Sequence, residues 1–132
     1  MDRIDLRVEV PAVSAVDLMT PASGGETSAA VAARVAAARS VQAERYAKLG
    51  LHITTNALAP NTVIEDVAKP DAAGQQLLRD AADALKFSAR GYHRILKTAR
   101  TLADLEGRDT VGRIHLAEAI SYRMAGQRLA TA

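Results

Sequence analysis

The sequence has no cysteine and no tryptophan, and its aromatic side chains are three tyrosines and one phenylalanine among 132 residues. Without cysteine, a disulfide framework, a thiolate nucleophile and a cysteine-based metal site are all excluded. Hydrophobic residues still make up 48% of the chain, so alanine, valine, leucine and isoleucine must build the core. Alanine has the highest helix propensity and loses no side-chain entropy on folding. The composition therefore predicts a mainly α protein.

Long hydrophobic runs are also missing. No segment approaches the roughly 18 consecutive apolar residues that a membrane span requires. The first residues carry charges at Asp2, Arg3, Asp5, Arg7 and Glu9, a pattern unlike a secretory signal. We therefore expect a soluble, cytoplasmic protein with no membrane partner. The formal net charge of +2 is compatible with phosphate-bearing partners but does not require them.

The sequence also lacks the motif with which P-loop proteins hold ATP, a glycine-rich turn followed by lysine. Each of its lysines follows alanine or leucine instead: Lys48, Lys69, Lys86 and Lys97. The three histidines are widely separated and do not have the spacing of zinc ligands: His52, His93 and His115. We therefore expect no metal site, and no ATP hydrolysis by this chain alone.

One period-two pattern occurs, at the start of the chain. From Ile4 to Val10 apolar and charged side chains alternate strictly, which predicts one half-buried strand. No comparable run follows, and a single strand cannot form a sheet, so we expect its neighbours to come from outside this chain. From Pro11 to Gly25 two prolines and two glycines lie among serines and threonines, which indicates a linker.

Helical patterns fill the rest of the chain. The first long helix is expected from Ser28, as N-cap, to about Leu49, with Gly50 at its C-terminal end. Its predicted apolar stripe consists of Val31, Val35, Ala38 and Tyr46. A short helix with Asn61 as its N-cap is expected to run through Val67, because Pro70 prevents its continuation.

Three further helices follow from capping residues and periodicity. Asp71 is expected to cap a helix that ends near Leu85, and Ser88 one that ends at Gly107. The apolar positions of the second helix recur at helical spacing: Tyr92, Ile95, Leu96, Ala99, Leu102 and Ala103. The last helix is expected to begin between Thr110 and Arg113, with these residues buried: Ile114, Ala117, Ile120 and Met124.

The first turn of the helix after Ser88 carries Arg90, a position where the helix dipole disfavours a cation. Free backbone amides, the dipole and a guanidinium together form a phosphate site, so a bound anion would stabilise this arrangement. The alternative is an ion pair between Arg90 and a nearby carboxylate such as Asp83. Further basic residues on the same helix are expected to form a solvated face: Arg94, Lys97 and Arg100.

The same segment carries a family resemblance. S-A-R-G-Y-H-R-I-L-K-T-A-R-T-L-A-D-L-E-G, followed by H-L-A-E-A-I-S-Y-R at His115 to Arg123, resembles the C-terminal domain of magnesium chelatase-like AAA+ ATPases of the ComM or YifB group. D-R-I-D-L-R-V-E-V-P at Asp2 to Pro11 is similar to the end of the ATPase core in the same proteins, as is G-E-T-S at Gly25 to Ser28, before the first helix. The resemblance covers nearly the whole chain, in order.

The resemblance implies an architecture and two site residues. Residues 1–12 would end the AAA+ core as a strand, residues 13–25 would form a linker, and residues 26–132 would form a helical-bundle lid. Arg3 would be the arginine finger that acts in trans on a neighbouring subunit's nucleotide, unless it pairs with Asp2 or Asp5. Arg90 would be the sensor-2 arginine that contacts the γ-phosphate of ATP in its own subunit. ATP and Mg²⁺ would be cofactors of the longer protein, with none expected for the isolated chain.

The implied partners are the upstream AAA+ core and neighbouring subunits in a homo-oligomeric ring, expected to be a hexamer. For ComM-like members the resemblance implies DNA branch migration during uptake of transforming DNA, with DNA as a further partner. Two alternatives remain open. The chain could belong to a magnesium chelatase motor subunit, which drives Mg²⁺ into a porphyrin, or it could be a freestanding helical adaptor that binds protein or nucleic acid.

Overall fold

The computed structural model describes residues 27–131 together with Leu6 and Val8, and side chains as far as Arg123. The described part contains five α-helices and one 3₁₀ turn. They are α1 (Ser28–Lys48), the 3₁₀ turn (Asn56–Leu58), α2 (Asn61–Val67), α3 (Ala72–Leu85), α4 (Ala89–Leu105) and α5 (Arg113–Thr131). Residues 27–131 contain no sheet, and their one β-bridge joins Pro70 to Val111. The mainly α fold class is confirmed.

The predicted strand from Ile4 to Val10, the linker and Arg3 lie outside the described residues, apart from Leu6 and Val8. Both of these side chains are exposed.

Most helix ends follow the predicted capping residues. The Gly74 N–H donates to Asp71 Oδ1 at 2.8 Å, and the Gly91 N–H donates to Ser88 Oγ at 3.0 Å, so both predicted N-caps are confirmed. The prediction of Ser28 as the first N-cap was wrong by one residue. Thr27 is the cap, since its Oγ1 accepts from the Ala30 N–H at 3.1 Å, and Ser28 is already helical. Asn61 was likewise wrong by one residue: it is the first residue of α2, and Pro60 holds the N-cap position without a side-chain hydrogen bond.

Helix α4 lies at the centre of the fold, in contact with α1, α2, α5 and the 3₁₀ turn. The predicted stripe of α4 is confirmed, with Ile95, Leu96, Ala99 and Ala103 buried and Tyr92 and Leu102 packed at the margin. These side chains meet large buried residues of the surrounding elements: Tyr46, Ile64, Val111 and Leu116. One helix therefore supplies the inner surface on which the others assemble.

The predicted buried stripe of α1 is only half right. Ala38 and Tyr46 are buried, but Val31 and Val35 are exposed, as is every residue from Ser28 to Ala37. The second half of α1 packs on the core, whereas the first half extends past it. The apolar stripe of α1 is therefore longer than the part of the helix that packs on the core.

The predicted inner face of α5 was wrong at Ile114 and Ala117. Ile114 is 66% exposed and Ala117 is exposed, while Leu116, Ala119 and His115 are buried. Apolar residues on this helix occur on two neighbouring faces, and packing against α3 and α4 selects the second of them. Ile120 is partly buried, and the side chain of Met124 lies outside the described part.

Candidate anion-binding groove

One face of α4 lines a groove of about 630 Å³. Its side chains lie at helical spacing along that face: Arg90, His93, Arg94, Lys97, Thr98 and Thr101. Ala57 of the 3₁₀ turn, Asn61 of α2 and the described Leu6 also line it. We call this the α4 groove.

The charge of the α4 groove is of one sign. Arg90, Arg94 and Lys97 line it, and none of its described lining residues carries a carboxylate. Two other clefts, by contrast, mix both signs. The first is lined by two carboxylates and two cations: Glu65, Asp66, Lys69 and Arg79. The second is lined by three carboxylates and four cations: Glu44, Asp104, Asp109, Arg45, Lys48, Arg100 and Arg108. A cleft lined by cations alone raises the local concentration of anions, so the α4 groove is the best candidate for an anionic ligand.

Arg90 is exposed in the first turn of α4, at one end of the groove. Within the described part of the chain it makes no salt bridge, with Asp83 or with any other carboxylate. The amides of Ala89 and Arg90 precede the first intrahelical hydrogen bond, in which the Tyr92 N–H donates to the Ser88 carbonyl at 2.9 Å. The guanidinium and these amides thus share a region of positive potential.

A second arginine lies beside the same helical turn. A side-chain Cβ at Gly91 would lie 2.8 Å from Nη2 of Arg123, so the guanidinium from α5 occupies the space that a larger residue would fill. Sequence reasoning did not single out Arg123, although it ends the quoted H-L-A-E-A-I-S-Y-R block. A glycine inside a helical pattern was the available signal, since such glycines often mark a close approach.

Side-chain hydrogen bonds along the groove connect α4 to the 3₁₀ turn and to α2. Lys97 Nζ donates to the Ala57 carbonyl at 3.0 Å, which connects α4 to the 3₁₀ turn. His93 Nε2 lies 2.8 Å from Glu65 Oε1 and thereby links α4 to α2. Thr101 Oγ1 donates to the Lys97 carbonyl at 2.9 Å. The groove is therefore built from fixed elements rather than from one isolated helix face.

Arg100 departs from the prediction of a solvated basic face, because it is only 2% exposed. Its guanidinium donates to the carbonyls of Val67, Arg108 and Asp109 at 3.1, 2.6 and 2.8 Å. It also pairs with Asp104 at 3.1 Å. Burial lowers the pKa of Arg100, and the adjacent Asp104 carboxylate opposes that shift. Its position on the helix turns it toward the core, where backbone carbonyls replace water.

Asp104 is the centre of a buried polar network. Arg45 Nη2 lies 2.5 Å from Asp104 Oδ1, and Asn56 Nδ2 donates to Asp104 Oδ2 at 3.1 Å. The Tyr46 hydroxyl donates to Asn56 Oδ1 at 2.6 Å. Burial by itself would lower the pKa of Arg45, but Asp104 outweighs it and the pKa is raised. This network connects α1, the 3₁₀ turn and α4 and does not line the α4 groove.

His115 has a structural role that accounts for its burial. Its Nδ1 accepts from the Gly112 N–H at 2.9 Å, and its Nε2 lies 2.8 Å from Glu106 Oε2. The imidazole thus satisfies an amide at the start of α5, as a glutamate does in a capping box. No group of His, Cys, Asp and Glu within the described residues has the arrangement of a metal site. None of the described helices is long and apolar enough to cross a membrane.

Comparisons with known proteins agree with the resemblance. The family described as "Magnesium chelatase, subunit ChlI C-terminal" matches residues 25–123, a range that includes Arg90 and Arg123 but not Arg3. Competence protein ComM of Haemophilus influenzae is 38% identical over 123 residues, which is 93% of this chain and 23% of that protein.

Two further relatives are an uncharacterized protein, YifB, of Salmonella typhimurium, 39% identical over 93% of this chain, and an uncharacterized protein of Mycobacterium bovis, 37% identical over 97%. The chain spans 23% and 25% of their lengths, respectively. Because the family match covers most of the helical region, the chain belongs to the family of the magnesium chelatase subunit ChlI C-terminal domain.

Proposed function

We propose that this chain is the helical lid of a magnesium chelatase-like AAA+ ATPase and contributes to ATP binding and hydrolysis in a ring assembly. The observation that carries the proposal is the α4 groove, with the exposed Arg90 at its helix-start end and cations along its length. Family membership supports it, and the relatives are about four times as long as this chain. The phosphate-cradling turn would then lie in the remaining part of such a protein.

In this proposal Arg90 binds the γ-phosphate of ATP held by the core of the same subunit. A guanidinium can donate two parallel hydrogen bonds to phosphate oxygens, which fixes the ligand's orientation as well as its charge. The described groove residues fit the phosphates but offer no carboxylate for Mg²⁺, so the core would supply the metal ligands. Loss of the γ-phosphate would release Arg90 and change the angle between lid and core.

Arg3 is proposed as the arginine finger that reaches the nucleotide of a neighbouring subunit. It lies outside the described residues and before the matched range, so its support is the D-R-I-D block alone. A finger acts on transition-state charge and contributes about 10³-fold or more to hydrolysis. In the longer protein, Arg3→Ala rings should regain some turnover when mixed with subunits defective in the phosphate cradle. Rings that assemble but show no recovery would exclude a role in trans.

For the longer protein we propose work on DNA, in the manner of branch migration, because a competence protein is among the relatives. The family description favours a second candidate, a chelatase motor subunit that acts on a porphyrin. ATP turnover of the longer protein, measured with branched DNA and with porphyrin plus its chelatase partners, separates the two. Stimulation by DNA alone supports the first candidate, and stimulation by porphyrin alone supports the second.

The lid assignment itself is tested by ATP turnover. The 132-residue chain should release no phosphate from Mg·ATP, whereas the longer protein should hydrolyse ATP and lose most of that activity on Arg90→Ala. Arg113→Ala is the matched control, because Arg113 is also an exposed arginine in the first turn of a helix, outside the α4 groove. Sustained turnover by the purified chain alone would contradict the assignment.

A further inference from the structure

Two cations of the α4 groove differ in how they are held. Arg90 makes no hydrogen bond or ion pair within the described part of the chain. Lys97 uses one donor of its ammonium group on the Ala57 carbonyl, at 3.0 Å, which leaves two donors for a ligand. Arg94 lies between them and has an interaction of its own, so the inference rests on Arg90 and Lys97.

The spacing of these two residues determines the length of ligand that can meet both. They are seven residues apart on one helix, a rise of about 10 Å. The bond to Ala57 holds the Lys97 ammonium beside the 3₁₀ turn. A row of phosphates spans more of this rise than one orthophosphate does, so it is better suited to meet both cations.

The rest of the groove suits such a ligand. Its volume of about 630 Å³ lies within the usual range for small-molecule sites. The Thr98 side chain lies on the same wall, next to Lys97, and adds a hydroxyl donor. Glu65 is held by His93 at 2.8 Å and is not among the lining residues, so the described walls present no carboxylate that would repel phosphate.

We propose that the α4 groove binds a linear polyphosphate at two points, with Arg90 as one anchor and Lys97 as the second. The inference rests on the proposed function, because it extends the γ-phosphate contact of Arg90 to an inner phosphate of the same nucleotide. The Ala57 carbonyl orients Lys97 before the ligand arrives, which reduces the entropy that binding would cost for a free lysine side chain.

The test compares two anions that differ in length. The isotope-labelled 132-residue chain is titrated with sodium orthophosphate and with sodium tripolyphosphate at matched ionic strength, and amide NMR shifts are followed. Tripolyphosphate should bind roughly tenfold more tightly than orthophosphate, a difference that corresponds to one added charge-assisted contact. Its saturable shifts should include the amides around both Arg90 and Lys97.

The decisive variant is Lys97→Gln, which removes the charge and keeps a side-chain N–H donor of shorter reach. It should remove most of the roughly tenfold preference for tripolyphosphate and leave unchanged the orthophosphate shifts of the amides around Arg90. Lys97→Arg should retain most of the affinity for tripolyphosphate. Lys48→Gln is the control for net charge, because it removes an exposed lysine outside the groove.

Three results would overturn the two-point site. They are equal affinities of the wild-type chain for the two anions, equal effects of Lys97→Gln and Lys48→Gln, and no saturable shift in the groove. Melting temperatures of both variants show whether either has lost its fold. None of these results bears on ATP turnover after Arg90→Ala in the longer protein, so the proposed function and this inference fail separately.

Discussion

Arg90 and Arg100 lie on the same helix, about three turns apart, yet their surroundings are opposite. Arg90 is exposed at the start of α4 and has no ion-pair partner in the described part of the chain. Arg100 is buried and bonds three backbone carbonyls and the Asp104 carboxylate. One arginine contributes to stability, and the other is available to a ligand.

The comparison teaches that a basic helix can carry two unrelated kinds of cation. Removal of a buried charge leaves its partners without hydrogen bonds in a medium of low polarity, which is costly. Removal of an exposed and unpaired charge leaves water in its place and costs little. Substitution of Arg100 should therefore change stability, and substitution of Arg90 should change ligand binding.

The largest effect is expected for Asp104→Ala, which leaves Arg45 and Arg100 without their shared carboxylate. Unfolding of the 132-residue chain in urea should show a loss of about 3–5 kcal/mol, as for other broken buried ion pairs. Asp109→Ala is the control, because its carboxylate is exposed and its backbone carbonyl still accepts from Arg100. Similar losses in both variants would contradict a special role for the buried network.

The same network should show a pH dependence through Tyr46, whose pKa is raised by burial and lowered in part by Arg45. The folded state therefore holds the hydroxyl proton more tightly than the unfolded state does. The protonated Tyr46 therefore contributes its full share to the free energy of unfolding below the ordinary tyrosine pKa of about 10. This share is lost as the pH rises above that value. Urea unfolding between pH 8 and pH 11 should show this loss.

The variant Tyr46→Phe sharpens that test. It should cost about 1 kcal/mol at neutral pH, the scale of one hydrogen bond, because the hydroxyl no longer donates to Asn56. It should also remove the part of the alkaline loss that belongs to Tyr46. If Tyr46→Phe and the wild type lose the same stability at alkaline pH, the loss belongs to other ionisable groups.

At the other end of α4, Ser88→Ala should cost about 1 kcal/mol, because the Gly91 amide loses its side-chain acceptor. Ser88→Thr, which keeps a hydroxyl, should restore most of it. Thermal unfolding of the two variants measures the difference. Equal melting temperatures for Ser88→Ala and wild type would show that this cap does not support the start of the helix.

The smallest effect on stability is expected for Arg90→Ala, within about 0.5 kcal/mol, because the side chain is exposed. ATP turnover of the longer protein should nevertheless fall sharply. Arg90→Lys should recover little of it, since an ammonium keeps the charge but loses the planar fork that grips phosphate. If Arg90→Ala unfolds the chain, or leaves the ATP turnover of the longer protein unchanged, Arg90 is not the proposed phosphate ligand.

The features that the sequence predicted correctly are mostly local ones. Asp71 and Ser88 cap their helices as predicted, and Gly50 and Gly107 follow helix ends with φ values of 74° and 71°. These features depend on a few neighbouring residues, since a capping side chain accepts from an amide only three residues later. The buried stripe of α4 was equally predictable, because this helix is surrounded by others and has one strongly apolar face.

The outward faces and the buried polar network were not predictable in the same way. Val31 and Val35 continue an apolar stripe beyond the end of the core, and Ile114 lies on an apolar face that packing did not select. Arg100 has the same side chain as Arg90, but the carbonyls that surround it come from residues on other elements and in the following loop. Their approach depends on the assembled fold, which periodicity does not describe.

By itself the sequence determined the helical class, most of the helix ends, the family and the exposed arginine at the start of α4. Those properties follow from composition, local hydrogen bonding and contiguous motifs. Only the tertiary structure decided that Arg100 is buried, that Arg123 lies against Gly91, and that Lys97 shares a groove with Arg90. Each of these depends on how separate helices pack, because burial and charge separation arise only when distant segments meet.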